Sequence, residues 1–288
     1  MKASPPRQSA DVATETTPDL DVRPREAGAL APGHRRLRLT LSYCGTPWRG
    51  WQSQADESGI QDQLHAAIHR LTRLRLIVHG GSRTDAGVHA LCQTAHFDVP
   101  TSHPLPPSAW QGGLNQILPG TIRILEVTPA EPDFHASLSA CGKIYQYRIQ
   151  RAASLSAFDA DRVWHLPGPL DLDALAAALP LLRGTHNFVR LSANPGRITE
   201  IERRRDTSGH TRTLRWLEWS ENGNLLTLRV EGDAFLYHMM RLIVGALMQI
   251  GRRRASLDWL ADLLRDPHGP QCQNMAPAAG LYLERGLY

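Results

Sequence analysis

One segment constrains the fold more than any other, because it is apolar on nearly every side and still contains ionisable groups. Residues 235–250 form the longest apolar run in the 288-residue sequence, and His238 and Arg241 interrupt it. A helix that is apolar all round is normally buried. A run of this length with an internal charge is too short and too polar to span a membrane. We therefore predict a helix at the centre of a globular core and no membrane span.

Arg241, inside this helix, needs a partner, because an unpaired buried guanidinium is very costly. Two interpretations fit the sequence. In the first, a carboxylate from another segment lies beside Arg241, and the cation lowers the pKa of that carboxyl group by about 1–3 units. In the second, the side chain reaches solvent or binds carbonyl groups at a helix end.

The densest cluster of polar side chains supplies a candidate carboxylate. Residues 80–89, Gly-Gly-Ser-Arg-Thr-Asp-Ala-Gly-Val-His, lie between two predicted strands. Glycines allow a ligand to approach the backbone closely, and loops on a rigid sheet commonly hold reactive groups. Asp85 is therefore a candidate catalytic residue, with Arg83 and His89 beside it. The alternative is that Asp85 only hydrogen-bonds its own turn.

Apolar periodicity predicts strands and helices that alternate without the regular rhythm of a parallel barrel. Ser58 with Gln61, Ser108 and Ser256 are candidate starts of helices, and Asn222–Gly223 predicts a hairpin. Strands are predicted near residues 37–43, 76–78, 95–99, 122–125, 145–149, 214–219 and 225–230, and helices over residues 172–182, 235–250 and 257–264.

This alternation favours an α+β protein with a central sheet flanked by helices. We predict two similar sheet-and-helix halves, residues 36–132 with Asp85 and residues 139–288 with Arg241, and a cleft between them. Residues 1–35 lack periodicity and are predicted to be a disordered tail.

Several features suit an RNA partner. The net charge is +4, and all but two of the 32 basic residues are arginine, which binds phosphate bidentately and stacks on bases. Genomic base-composition bias explains the arginine excess equally well. The basic runs 203–205 and 252–254 are candidate phosphate contacts or simply solvated faces. Tyr145 and Tyr147 share one strand face, as a stacking platform or as ordinary core.

Metal and disulfide chemistry find little support. The four cysteines lie far apart without a C-x-x-C pair, which favours a reducing cytoplasm. His65 and His69 have helical spacing but no third ligand, so we predict no metal site.

Residues 82–90, Ser-Arg-Thr-Asp-Ala-Gly-Val-His-Ala, resemble the active-site motif of the tRNA pseudouridine synthase A family. The likeness covers most of residues 36–288. One motif would be weak, but five in the family's order are highly specific. The sequence departs from the family at Asn187, where aspartate is usual, and this removes a charge near a loop expected to face RNA. The other four motifs are Trp48–Gln52, Phe134–Ala136 followed by Lys143–Tyr147, Phe235–Arg241 and Ala276–Leu283.

The resemblance implies an isomerase with the pseudouridine synthase fold, a homodimer without metal or organic cofactor. Its substrate would be uridine in the tRNA anticodon stem-loop, at positions 38 to 40. Asp85 would be the catalytic carboxylate, Arg241 its ion-pair partner and Tyr145 the residue that stacks on the target base. Candidate RNA-binding residues are Arg83, His89, Tyr147, Arg203, Arg204, Arg205 and Arg252. A non-catalytic RNA-binding protein on the same scaffold is the alternative, and a nucleosidase ranks behind both.

Overall fold

A computed structural model describes residues 28–193 and 209–288 of the chain. Within these ranges, ten strands form one sheet and five α-helices accompany it. The strands are β1 (His34–Tyr43), β2 (His79–Gly80), β3 (His89–Pro100), β4 (Ile122–Ala130), β5 (Gly142–Gln150), β6 (Trp164–His165), β7 (Gly184–Asn187), β8 (Thr211–Asn222), β9 (Leu225–Gly232) and β10 (Leu281–Leu287). The helices are α1 (Ile60–Thr72), α2 (Pro107–Ile117), α3 (Leu172–Leu182), α4 (Met239–Gly251) and α5 (Leu257–Arg265).

The main strands follow the order β4-β1-β3-β10-β5-β9-β8-β7, while β2 pairs with β3 and β6 with β5. The pairs β10–β3 and β5–β6 are parallel, and the other neighbours are antiparallel. The predicted α+β class with a mostly antiparallel central sheet is confirmed. Within the described ranges, none of the helices has the length and apolar character needed to cross a bilayer.

The C-terminal strand β10 joins the two parts of the sheet that matter for the site. It inserts between β3 and β5, so that Leu283 pairs with Ala90 on one side and with Tyr145 on the other. The loop that contains Asp85 directly precedes β3. The inserted strand therefore brings two candidate site residues together although they lie sixty positions apart in sequence.

Helix α4 is the buried helix that the sequence predicts, with a later start. It begins at Met239, directly after a turn in which His238 has a left-handed backbone with φ of 60°. All of its 13 residues except Arg241 and Gln249 are buried. At Gly245, an added Cβ would lie 1.7 Å from the Asn274 carbonyl oxygen. Glycine therefore lets the segment that precedes β10 pack directly against this helix.

Some predicted element boundaries are wrong by a few residues. Helix α1 is capped by Gly59, whose N–H donates to the Asp62 carboxylate at 2.9 Å, instead of by Ser58. Helix α2 starts at Pro107, where proline needs no N–H partner, and Pro106 is its N-cap instead of Ser108. The strand expected at residues 76–78 is found at His79–Gly80.

Two other local predictions are confirmed. The Ser256 hydroxyl caps α5 by accepting a hydrogen bond from Trp259 N–H at 3.2 Å. Strand β8 ends at Asn222, and Gly223 begins the hairpin turn with φ of 58°. The two residues of the turn are Gly223 and Asn224, one position later than the predicted Asn222–Gly223 pair. Serine at an N-cap and glycine in a tight turn act through local geometry alone, which is why sequence suffices to predict a cap and a hairpin here.

Candidate active site

A cleft of about 1340 Å³ is lined by residues from both predicted halves of the chain, residues 36–132 and 139–288. Asp85, Arg83 and Tyr145 all line it. Basic side chains outnumber carboxylates among its described lining residues, which suits a polyanionic ligand. The basic ones are Arg49, Arg83, Lys143 and Arg212, and the acidic ones are Asp85 and Asp233.

The loop that contains Asp85 is held by the segment that follows β1. Trp51 N–H donates to the Thr84 carbonyl at 3.0 Å, and Gly87 N–H donates to the Trp48 carbonyl at 3.2 Å. Gly87 itself has φ of 77°, a conformation that glycine adopts without strain. These bonds on both sides of Asp85 fix its backbone against a second segment.

A buried network of polar side chains also supports this loop. The hydroxyl groups of Tyr43 and Thr84 are 2.7 Å apart. Gln93 is fully buried, donates to the Ser82 carbonyl at 2.7 Å and accepts from Ser82 N–H at 3.2 Å. Buried polar groups that are fully bonded rigidify their surroundings. This network was not predicted, and its only signal in the sequence is a glutamine within the apolar strand β3.

Gly50 offers a test of how the segment that follows β1 positions the loop of Asp85. Its φ is 90°, and an added Cβ would lie 2.5 Å from the Thr84 carbonyl oxygen, so that backbone would have to move. We expect Gly50→Ala to lower turnover by about tenfold, because small displacements of a catalytic group are costly. Gly168→Ala is the matched control, with φ of 106° and no atom within 4 Å of the added Cβ. Equal losses of turnover in the two variants, with thermal stability measured in parallel, would contradict the positioning role.

The Asp85 carboxyl group is poorly hydrated. Its side chain is 18% exposed, and burial raises its pKa to about 6 although the positive charge of Arg241 opposes that rise. The expectation that a neighbouring arginine would lower the pKa is therefore wrong for the net shift, because desolvation outweighs the attraction. At pH 7 roughly nine-tenths of the group is still ionised.

Arg241 satisfies part of each interpretation that the sequence left open. Its Nε–H donates to the Ala276 carbonyl at 2.8 Å, and its charge acts on the pKa of Asp85. The charged atoms of these two side chains, both in the described part of the chain, do not come within ion-pair distance. The direct ion pair implied by the resemblance is therefore not formed, and the two groups interact through space.

His238 lies beside Asp85 and was not among the predicted site residues. Its Nε2 lies 3.7 Å from Asp85 Oδ2, and its ring stacks on Tyr237 with centroids 3.8 Å apart. Burial, and secondly the charge of Arg241, lower its pKa to about 4, so the imidazole is neutral at pH 7. The available signal was its spacing, because His238 precedes Arg241 by three residues at the start of a helix.

Tyr145 lies on the floor of the cleft. It is 7% exposed and packs edge-to-face on Phe235, with ring centroids 4.8 Å apart. Burial, followed by the negative charge of Asp85, raises its pKa, so the phenol is neutral. A nearly buried aromatic ring and a carboxylate in the same cleft are the groups that a flipped nucleotide would need for its base and its sugar.

Arg83 is exposed on the cleft wall two residues before Asp85. Asn187, the residue that departs from the family pattern, is half-buried, and its side-chain oxygen accepts a hydrogen bond from Val189 N–H at 3.0 Å. An aspartate could accept the same bond. The substitution therefore keeps the local turn and removes only the charge.

Comparisons with known proteins decide the family. A family model described as tRNA pseudouridine synthase matches residues 41–137 and 178–288, more than half of the chain. The chain belongs to this family. The resemblance drawn from the Asp85 motif is thereby confirmed.

Named relatives cover nearly the whole chain. A tRNA pseudouridine synthase A from Akkermansia muciniphila is 40% identical over 258 residues, which are 88% of this chain and 95% of the relative. A tRNA pseudouridine synthase A from Bacillus licheniformis is 35% identical over 255 residues, 88% of this chain and 99% of the relative. A crystal structure of a protein from Galdieria sulphuraria overlaps with a TM-score of 0.21 and 11% identity, too weakly to support any argument.

In this pseudouridine synthase, two residues predicted to bind RNA are instead internal. Tyr147 is fully buried, and its hydroxyl donates to the Pro277 carbonyl at 2.7 Å. His89 is 2% exposed, accepts a hydrogen bond from Gly45 N–H at 3.1 Å and stacks on Tyr282. Neither side chain presents a surface to RNA, so the prediction that they bind it is wrong. Both hold neighbouring segments in place.

The remaining predicted contacts lie away from the cleft or outside the described residues. Arg252 caps the far end of α4, about 16 Å along the helix from Arg241 at 1.5 Å per residue, and it does not line the cleft. Its contact with RNA stays a prediction, at a position outside this cleft. Arg203, Arg204 and Arg205 lie outside the described residues, as do residues 1–27 of the predicted tail.

The raised pKa of Asp85 has a consequence for stability. The folded carboxyl group has a pKa of about 6 against an ordinary 3.8, so its ionisation opposes folding. This cost is absent below the unfolded-state pKa of 3.8, grows between pH 3.8 and about 6 and is fully present above about pH 6. We expect Asp85→Asn to increase the free energy of unfolding at pH 7.5 by up to about 3 kcal/mol, and by much less at pH 4.5. Urea unfolding at the two pH values tests this expectation. A variant less stable than the parent at pH 7.5 would contradict it.

Proposed function

We propose that this chain is a tRNA pseudouridine synthase that isomerises uridine to pseudouridine in the anticodon stem-loop of tRNA, with Asp85 as its catalytic carboxylate. The observation that supports this most directly is a poorly hydrated, mostly ionised carboxylate on the wall of a basic cleft. Family membership supplies the substrate class, since the relatives are named for tRNA.

The reaction breaks the bond between C1′ and N1 of uridine, turns the uracil and joins C1′ to C5. The C5 proton is lost and N1 regains one, so substrate and product are isomers and no oxidant or reductant is needed. An ionised Asp85 would act on the ribose by one of two routes, attack at C1′ or removal of the 2′ proton. Both routes require the unprotonated carboxylate.

Other residues have supporting roles in this proposal. Tyr145 would stack under the extruded base, because it is an aromatic ring on the cleft floor. Arg83 would hold the phosphate backbone beside the extruded nucleotide, because it is exposed two residues from Asp85. Arg241 would keep Asp85 partly ionised through its charge. Base extrusion costs a few kcal/mol, which such contacts offset.

The domain assignment, the oligomeric state and the cellular location belong to the same proposal. Residues 36–132 and 139–288 would form the two halves of the fold, a division supported by a cleft that draws its lining from both ranges. A homodimer follows from the family resemblance, and sedimentation velocity tests it. A reducing cytoplasm fits the cysteines, all four of which are free.

The decisive experiment uses an unmodified tRNA transcript labelled with tritium at C5 of uridine. Pseudouridine formation releases tritium to water without loss of RNA mass, because only the C5 hydrogen is exchanged. Release of free uracil would indicate a nucleosidase, and tight binding without tritium release would indicate a non-catalytic RNA-binding protein. Chemical mapping of the product, with uridines at positions 38 to 40 replaced by cytidine in turn, tests the proposed target.

A further inference from the structure

An exposed aromatic ring lies at the mouth of the cleft, apart from the residues assigned so far. Tyr237 lines the cleft and is 50% exposed, whereas Tyr145 on the floor is 7% exposed. Among the described phenylalanine, tyrosine and tryptophan residues that line the cleft, Tyr237 is the exposed one. A large ring left half in water on the wall of a binding cleft indicates a contact surface more strongly than a scattered exposed side chain does.

Tyr237 is held rigidly next to the candidate catalytic group. Its ring stacks on His238 at 3.8 Å with 26° between the planes, and His238 Nε2 lies 3.7 Å from Asp85 Oδ2. The Tyr237 carbonyl accepts from Ala193 N–H at 3.0 Å, and the His238 carbonyl accepts from Leu242 N–H at 3.0 Å. The stacked rings of Tyr237 and His238 are therefore held in place, with His238 between Tyr237 and Asp85.

We propose that Tyr237 is a stacking site for the nucleobase adjacent to the target uridine. This inference rests on the proposed function. With the target ribose at Asp85 and its uracil on Tyr145, the adjacent nucleotide remains one phosphate away, at the mouth. Extrusion of the target removes the stacking partner of that neighbouring base. The Tyr237 ring replaces the lost stack and so lowers the cost of extrusion.

The surroundings of Tyr237 suit a nucleotide. Arg83 is exposed on the same cleft and offers positive charge to the connecting phosphates. Arg49 is also exposed on this cleft, and its guanidinium forms an ion pair with Asp56 at 3.4 Å. His238, which stacks on this ring, is neutral at pH 7, because burial lowers its pKa to about 4. The stacked pair of Tyr237 and His238 is therefore an uncharged aromatic surface. Base–aromatic stacking tolerates any base. The site therefore contributes affinity without a sequence preference at the adjacent position.

The first test follows stacking directly by fluorescence. An anticodon stem-loop RNA has 2-aminopurine placed in turn on the 5′ and 3′ side of the target uridine. We expect the full-length protein to quench this fluorescence on one side. Tyr237→Ala should lose most of the quenching and bind the RNA about tenfold more weakly, while Tyr237→Phe retains both. The matched control is Phe158→Ala, which removes an 87% exposed aromatic ring that does not line the cleft.

The second test alters the RNA and needs no folded variant. An abasic site at the quenched position should weaken binding to the parent protein about tenfold and leave binding to Tyr237→Ala unchanged. Equal weakening of both proteins would overturn the proposal, as would full quenching by Tyr237→Ala. A change in oligomeric state with quenching unaltered would also overturn it, since Tyr237 would then contact protein. Binding and quenching require no catalysis, so they remain informative if the tritium assay rejects the proposed isomerase.

Discussion

Asp85→Asn is expected to reduce pseudouridine formation by at least about 10⁴-fold while tRNA binding changes by less than about threefold. An amide has nearly the shape of a carboxylate but is neither a useful nucleophile nor a base, and removal of such a group commonly costs about 10⁴–10⁶ in rate. Single-turnover tritium release measures the chemical step, and fluorescence anisotropy with labelled tRNA measures binding. A variant with more than a few per cent of the parental rate would remove Asp85 from the mechanism.

Asp233→Asn is the matched control for this experiment. Asp233 lines the same cleft, and its Oδ1 accepts hydrogen bonds from Thr213 N–H at 3.0 Å and from Ala234 N–H at 2.6 Å. An asparagine side-chain oxygen can accept both bonds. The variant should therefore keep the parental rate within a few fold. If both variants lose activity equally, the general loss of negative charge in the cleft explains the result.

Arg241→Gln should change the pH dependence of the reaction as well as its rate. In the parent, kcat/KM should fall tenfold per pH unit below about 6, where Asp85 becomes protonated. Without the Arg241 charge that now opposes the effect of burial, the pKa of Asp85 should rise by a further 1–3 units or so. Activity at pH 7 should then drop by up to about 100-fold and should recover towards pH 9. Initial rates from pH 5 to pH 9 measure the shift.

Arg241→Lys separates the effect of charge from that of structure at this position, and Arg265→Gln is the control. Arg241→Lys keeps the positive charge but alters the Nε donation to the Ala276 carbonyl, so it should retain the parental acid limb. Arg265→Gln removes an exposed arginine from the end of α5 and should change neither rate nor profile. If Arg241→Gln loses activity equally at every pH, the role of Arg241 is structural and its effect on the pKa of Asp85 is unimportant.

The sequence was informative where local rules decide the outcome. The apolar run identified α4 as a buried helix, because its hydrophobic residues face every direction. The alternating Leu37, Leu39 and Leu41 identified β1, since strand side chains alternate between two faces. Ser256 and the turn at Gly223 were also recognisable, because each acts through bonds to its immediate neighbours.

The sequence was misleading where burial decides the outcome. Tyr147 and His89 were assigned to RNA by residue type, but the fold places both inside and satisfies their polar atoms internally. The position of Gln93, buried and bonded to the loop of Asp85, could not be foreseen either. Accessibility depends on which segments pack on a residue, and those segments come from elsewhere in the chain.

By itself, the sequence determined the class of the fold, the family and the identity of the candidate carboxylate, because periodicity and motif order are properties of the linear chain. Only the tertiary structure decided which residues surround that carboxylate and what its pKa is. Strand β10 brings the loop of Asp85 beside Tyr145, and the start of α4 places His238 against the carboxylate. The pKa of Asp85 is then set by the competition between desolvation and the charge of Arg241, and both effects depend on distances through space that sequence separation does not fix.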